Sequence, residues 1–182
     1  RDYEQAISER TVALMRVHTS NYRIIGFHAD VSVRELADIA HTRNLPLIED
    51  LGSGSFLDFT ASRLPGEPTV QSVVAAGADV VTFSGDKVLG GPQAGIIVGK
   101  KTFIDRIKRN PLNRALRIDK MTLAALEATL RLYLDENTAR TRIPTVAMIT
   151  ATPDLLKNRA SRLASRLRKR CSGVTVRLLP GE

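Results

Sequence analysis

A chain of 182 residues can bury one sizeable core and begin a second domain, and 43% apolar with 25% charged residues excludes a generally disordered state. No apolar run approaches the ~20 residues that cross a bilayer and Arg1 to Arg10 carry no signal-peptide pattern, so the reading is cytoplasmic with no membrane partner. The single cysteine, Cys171, excludes an internal disulfide framework; the net charge of +8 favours an anionic partner, while 4% aromatic residues without Trp argue against a stacking platform for single-stranded nucleic acid.

Taken in chain order, Val12 to Val17 is a mostly apolar, β-competent run that reads as a buried strand opening into the polar loop His18, Thr19, Ser20, Asn21. Ser32 and Glu35 form a capping box, and Val33, Leu36, Ala37 and Ala40 at helical spacing predict a helix over 33–43. Leu45 to Ile48 predicts a strand feeding a loop that contains Glu49, Asp50 and Gly52. Residues 57–68 carry two prolines and no period, which predicts an irregular excursion; Thr69 then caps a short helix through Ala76 that Gly77 ends. Asp79 to Phe83 predicts a strand, residues 84–93 a glycine-rich loop, and Ala94 to Val98 a further buried strand. Alternation of strands with helices predicts an α/β fold, a mainly parallel sheet sandwiched by helices.

Beyond the sheet, Phe103, Ile104 and Ile107 mark a helix ended by Pro111, and Leu123, Leu126, Leu130 and Tyr133 mark one over 120–135. Pro144 interrupts the pattern. Thr152 and Pro153 open a helix with the stripe Leu156, Ala160, Leu163 and Leu167, beside which the basic residues of 157–170 lie. Val174 to Leu179 predicts the start of a strand. Residues 1–140 thus form most of one domain and 141–182 the beginning of a small α+β one, and both ends read as cuts in a longer chain.

The chemistry gathers where strands end, because ligands of parallel α/β sheets sit at that edge. Asn21, Asp50 and Lys87 follow three successive strands at intervals of 29 and 37 residues. That order resembles the Asn, Asp, Lys series of fold-type I pyridoxal phosphate (PLP) enzymes. Singly, each residue reads as a surface lysine or a turn former; jointly they point to one site. A lysine amine forms a Schiff base with the cofactor aldehyde, and a carboxylate at the ring nitrogen keeps the ring able to accept electrons from a carbanion. The resemblance implies Lys87 and Asp50 as catalytic residues that also hold the cofactor, with Ser84 at its phosphate and Asn21 at its ring hydroxyl.

Longer strings are more specific. His18 to Tyr22, Glu49 to Ser55, Phe83 to Gly99 and Asn110 to Glu127 resemble the bacterial selenocysteine synthases, the L-seryl-tRNA(Sec) selenium transferases, over about residues 10–140. That family implies a PLP-dependent replacement of the serine β-hydroxyl in seryl-tRNA(Sec), with selenophosphate as selenium donor and Lys87 as the base for the α-proton. It also implies Arg114 and Arg117 as ligands of the anionic donor, a ring of homodimers as the assembly, and tRNA contacts mainly through regions outside these 182 residues. His18, His28 and His41 show no metal-ligand spacing, so no metal is expected. Two rival readings remain: a related lyase acting on a small amino acid or amino sugar, and a catalytically vestigial basic module that binds tRNA or acts as a scaffold.

Overall fold

The computed structural model describes residues 1–19, 24–60 and 67–179. After a first helical turn, α1 (Asp2–Ala6), the chain runs β1 (Leu14–Val17), α2 (Val33–Thr42), β2 (Leu47–Gly52), α3 (Val70–Ala75), β3 (Val80–Ser84) and β4 (Gly95–Gly99). The helices α4 (Lys101–Arg109), α5 (Leu112–Ala115), α6 (Lys120–Leu132), α7 (Glu136–Arg142), α8 (Pro144–Ile149) and α9 (Pro153–Arg170) follow. The strands form one sheet in the order β1-β2-β3-β4, parallel except for the antiparallel pair β3 and β4. The fold is α/β, a mainly parallel sheet flanked by helices.

Strand alternation gives the sheet two unlike faces. Leu47, Glu49 and Leu51 of β2 are buried, whereas Ile48, Asp50 and Gly52 between them are half-buried and face the other way. The buried face meets α2 and α3. Leu14, Leu36, Ala37, Ala40 and Leu47 form one cluster, and Leu51, Val70, Val73, Val81 and Phe83 lie in a second. Each leucine fully removed from water there contributes about 1.5–3 kcal/mol. A third cluster packs Leu57 and Phe59 against Ala139, Ile143 and Val146, so the segment that follows β2 is anchored by α7 and α8.

The expected caps are all present. Ser32 accepts from Glu35 N–H at 3.2 Å while Glu35 accepts from Ser32 N–H at 2.9 Å. Thr69 accepts from Ser72 N–H at 3.1 Å, and Thr152 accepts from Leu155 N–H at 3.3 Å at the start of α9. Each satisfies a donor that the first turn of a helix leaves without a partner.

Five expectations need correction. β1 is not a buried strand: Leu14 is buried but Met15 and Val17 are exposed, because β1 stands at an edge of the sheet among the described residues. β2 runs on to Gly52, so Asp50 sits within a strand and not in a loop after it; the buried Glu49 keeps the two-residue period intact through Leu51. β4 is an edge strand with Ile97 45% exposed, not a buried one, because nothing pairs with its outer side among the described residues. Pro144 begins α8 in its first turn, where a missing N–H costs nothing, and does not merely interrupt helix. Val174 to Leu179 forms no strand: the segment has no ladder partner among the described residues, and Val174, Leu178 and Leu179 are exposed.

Candidate active site

The face of the sheet opposite α2 and α3 looks into a cleft of about 1210 Å³. Ile48, Asp50, Val80, Thr82, Ser84 and Ile97 form its floor, and Phe103 and Ile107 of α4 with Leu116, Arg117 and Leu123 form a wall. Register places Val17, Asp50, Thr82 and Ile97 in one row across the four strands. Asp50 is therefore a carboxylate on a largely apolar floor, near the carboxyl ends of the parallel strands.

Its carboxylate is held from two sides. Oδ1 accepts from Thr82 Oγ1 at 3.0 Å and from Gly52 N–H at 3.1 Å. The backbone beneath it is tied as well, since His18 N–H donates to the Asp50 carbonyl at 2.8 Å.

Ser84 ends β3 beside Asp50's strand and lines the same cleft. Lys87 follows three residues later on an exposed turn closed by Gly90 N–H donating to the Lys87 carbonyl at 3.0 Å. This turn is well secured. Leu89 is completely buried, and the Tyr133 hydroxyl donates to the Leu89 carbonyl at 2.9 Å. Gly90 takes a φ of +72°, and a Cβ there would lie 2.5 Å from Ile143 Cγ2, so glycine alone fits between the turn and α8. Burial pushes the Tyr133 hydroxyl up to about 12, which keeps it a donor. Its ring meets Phe56 edge-on at 5.4 Å, and Phe56 meets Phe83 at 5.8 Å.

Of the residues singled out from sequence, Asp50, Ser84 and Arg117 line one cleft; Lys87 and Arg114 do not line it. Arg114 lies on α5, which ends at Ala115, so Arg117 stands past the helix and the two do not share one helical face. Asn21 lies outside the described residues. His18 is half-buried with Nε2 3.4 Å from Glu67 Oε2, and Ser53 also hydrogen-bonds Glu67.

Sequence reasoning missed Thr82, Tyr133 and Glu49. Glu49 is fully buried opposite Arg16, with which it forms an ion pair, and its Oε2 has no hydrogen-bond partner among the described residues. Burial pushes its carboxyl above the usual range, against the pull of Arg16. Nothing local in the sequence singles out Thr82, because its place in the row with Asp50 comes from the parallel pairing of β2 with β3.

The architecture belongs to a class seen in solved enzymes. The structure of a D-glucosaminate-6-phosphate ammonia-lyase superposes with a TM-score of 0.63 at 27% identity, over 89% of this chain and 37% of that one. The L-seryl-tRNA selenium transferase family model matches residues 1–180, and the chain belongs to that family. It is 73% identical over 169 residues to the L-seryl-tRNA(Sec) selenium transferase of Nitratidesulfovibrio vulgaris, covering 93% of this chain and 36% of the relative. To that of Solidesulfovibrio magneticus it is 65% identical over 182 residues, covering 100% of this chain and 39% of the relative. The chain thus spans well under half the length of these curated relatives.

Proposed function

We propose that the protein to which this chain belongs is a PLP-dependent selenium transferase that converts seryl-tRNA(Sec) to selenocysteinyl-tRNA(Sec), with selenophosphate as donor. The observation that carries the reading is the placing of Asp50 and Ser84 on adjacent strand ends in one cleft, with Lys87 on the turn that follows Ser84, in a chain matched by the transferase family model from residue 1 to 180. The cleft has room for a phosphorylated pyridine, an apolar floor for its ring, a carboxylate for its nitrogen and a hydroxyl for its phosphate.

When bound, the cofactor supplies a sink for the electron pair left at the serine α-carbon. Asp50 would hold the proton of the ring nitrogen, Ser84 would donate to the phosphate, and Asn21 would meet the ring hydroxyl. Lys87 would bind the cofactor's aldehyde carbon and, once replaced by the substrate amine, take the α-proton on Nζ. Arg117, with Arg114, would hold the anionic selenium donor through guanidinium hydrogen bonds. Assembly into homodimer rings is part of the same reading, as are tRNA contacts through parts of the protein outside this chain and a cytoplasmic location; among the described residues no helix is long and apolar enough to cross a membrane.

The likeness to an ammonia-lyase supports a second reading, a lyase on a small amino acid or amino sugar. Both are tested on the full-length protein. Borohydride reduction followed by mass spectrometry is expected to place a PLP adduct on the Lys87 peptide; an adduct on another lysine in the wild-type protein refutes the assignment. Selenium transfer to seryl-tRNA(Sec), set against ammonia release from small substrates, separates transferase from lyase.

A further inference from the structure

Both hydrogen bonds made by the Asp50 side chain end on one oxygen. Thr82 Oγ1 donates to Oδ1 from the neighbouring strand, and Gly52 N–H donates to the same atom from two residues ahead. The second bond falls where the pairing of β2 with β3 slips between Asp50 and Gly52, at a glycine with a φ of +65°. One donor leaves a carboxylate free to swing about its terminal torsion, which is broad. Two donors arriving from different strands fix its plane. Oδ2 makes no hydrogen bond among the described residues and belongs to a side chain that lines the cleft.

Resting on the reading of Asp50 as partner of the cofactor's ring nitrogen, we propose that Thr82 is a positioning residue that holds Asp50 so that Oδ2 meets the protonated ring nitrogen of PLP. A strand threonine facing a cleft ordinarily satisfies its hydroxyl with water or a nearby carbonyl. Here the hydroxyl goes to a carboxylate, the stronger kind of acceptor, on the residue directly opposite in the parallel register. Binding is strengthened when a group is held beforehand in the orientation that the ligand needs. Without the hydroxyl, Oδ1 loses one of two donors, the carboxylate rotates, and it competes harder for the proton that it shares with the ring.

The test uses the full-length protein with Thr82→Val, which keeps the branched shape without the donor, and Thr82→Ser, which keeps the donor. Cofactor affinity is measured by equilibrium dialysis, and the protonation of the ring nitrogen by nitrogen NMR of isotopically labelled PLP. Thr82→Val is expected to raise the cofactor dissociation constant about tenfold and to move the nitrogen signal toward its unprotonated position, while Thr82→Ser stays within about twofold of wild type. Thermal melting checks the fold, and Thr82→Ala replaces the valine variant if that one is misfolded. Wild-type affinity and an unchanged nitrogen signal in the variant lacking the hydroxyl overturn the proposal, as does a serine variant that behaves like valine. Asp50→Asn is measured alongside. If it too leaves both readouts unchanged, the reading of Asp50 fails and takes this inference with it; a loss at Asp50 with silence at Thr82 sinks this inference alone.

Discussion

The Tyr133 hydroxyl donates to the Leu89 carbonyl at 2.9 Å across 44 residues of sequence, tying the end of α6 to the turn that carries Lys87. Tyr133→Phe keeps the ring and its edge-on contact with Phe56 but removes the donor. It is expected to cost about 1 kcal/mol in urea unfolding and to speed hydrogen exchange in residues 85–91 more than elsewhere. The pH dependence has a definite sign. The hydroxyl is raised from 10.0 to about 12 by burial, so its stabilisation is complete below pH 10 and is lost as the pH climbs toward about 12. The phenylalanine variant should lack that alkaline decline; a decline equal to wild type would assign it to other groups.

Asp79 lies at the opposite end of β3 and binds three elements at once. It accepts from Leu47 N–H at 2.7 Å, from His41 at 2.9 Å and from Lys100 at 2.5 Å. Burial pushes its carboxyl up, but Lys100, the Leu47 N–H and His41 together outweigh burial and hold it below the usual value of 3.8. A carboxylate with a depressed value in the fold stabilises above its unfolded value, and the contribution is lost as the pH falls through the folded one. Acid unfolding of wild type should therefore be steeper than that of Asp79→Asn. Asp79→Ala, which strands the Leu47 N–H, should cost about 2–3 kcal/mol at neutral pH.

Gly54 has a φ of +60°, and a Cβ there would come within 2.3 Å of Phe83 Cδ2. Gly54→Ala meets two penalties together, a left-handed backbone and a ring buried under it. The expected loss is about 3 kcal/mol or more, read from the denaturant midpoint. A stable alanine variant would mean that Phe83 can move aside without disturbing β3.

Arg117 lines the cleft and Arg114 does not. On the proposed function, Arg117→Ala in the full-length protein should raise the KM for selenophosphate by about tenfold or more, with a smaller rise for Arg114→Ala. Equal effects would show that both arginines reach the donor.

The helix boundaries were readable because caps are local chemistry: Ser32 with Glu35, Thr69, and Thr152 with Pro153 each announce an N-terminus within four residues. Asp50, Ser84 and Arg117 were legible as candidates through motif strings, although Asp50 was assigned to a loop. A charged residue beside it looked like a strand's end, whereas Glu49 is buried against Arg16 and the strand continues beneath it. What stayed hidden depends on cross-strand register. Thr82 acquires its role only when β2 and β3 pair parallel with Asp50 opposite it, and no local pattern states that offset. The strand expected at Val174 to Leu179 failed for a related reason: β-propensity describes a residue's fit to a sheet, and no strand pairs with that segment among the described residues.

The reversal of β4 bears on how the molecule assembles. A parallel return would need a long crossover, but an antiparallel one closes through residues 85–94 alone, so the hairpin of β3 and β4 can form in microseconds with little loop entropy to overcome. Lys87 is thereby sited relative to Ser84 by an early, short-range event. Its position relative to Asp50 waits on the slower, long-range joining of β2 to β3, and pulse-labelled exchange should protect the amides that pair β3 with β4 before those that pair β2 with β3.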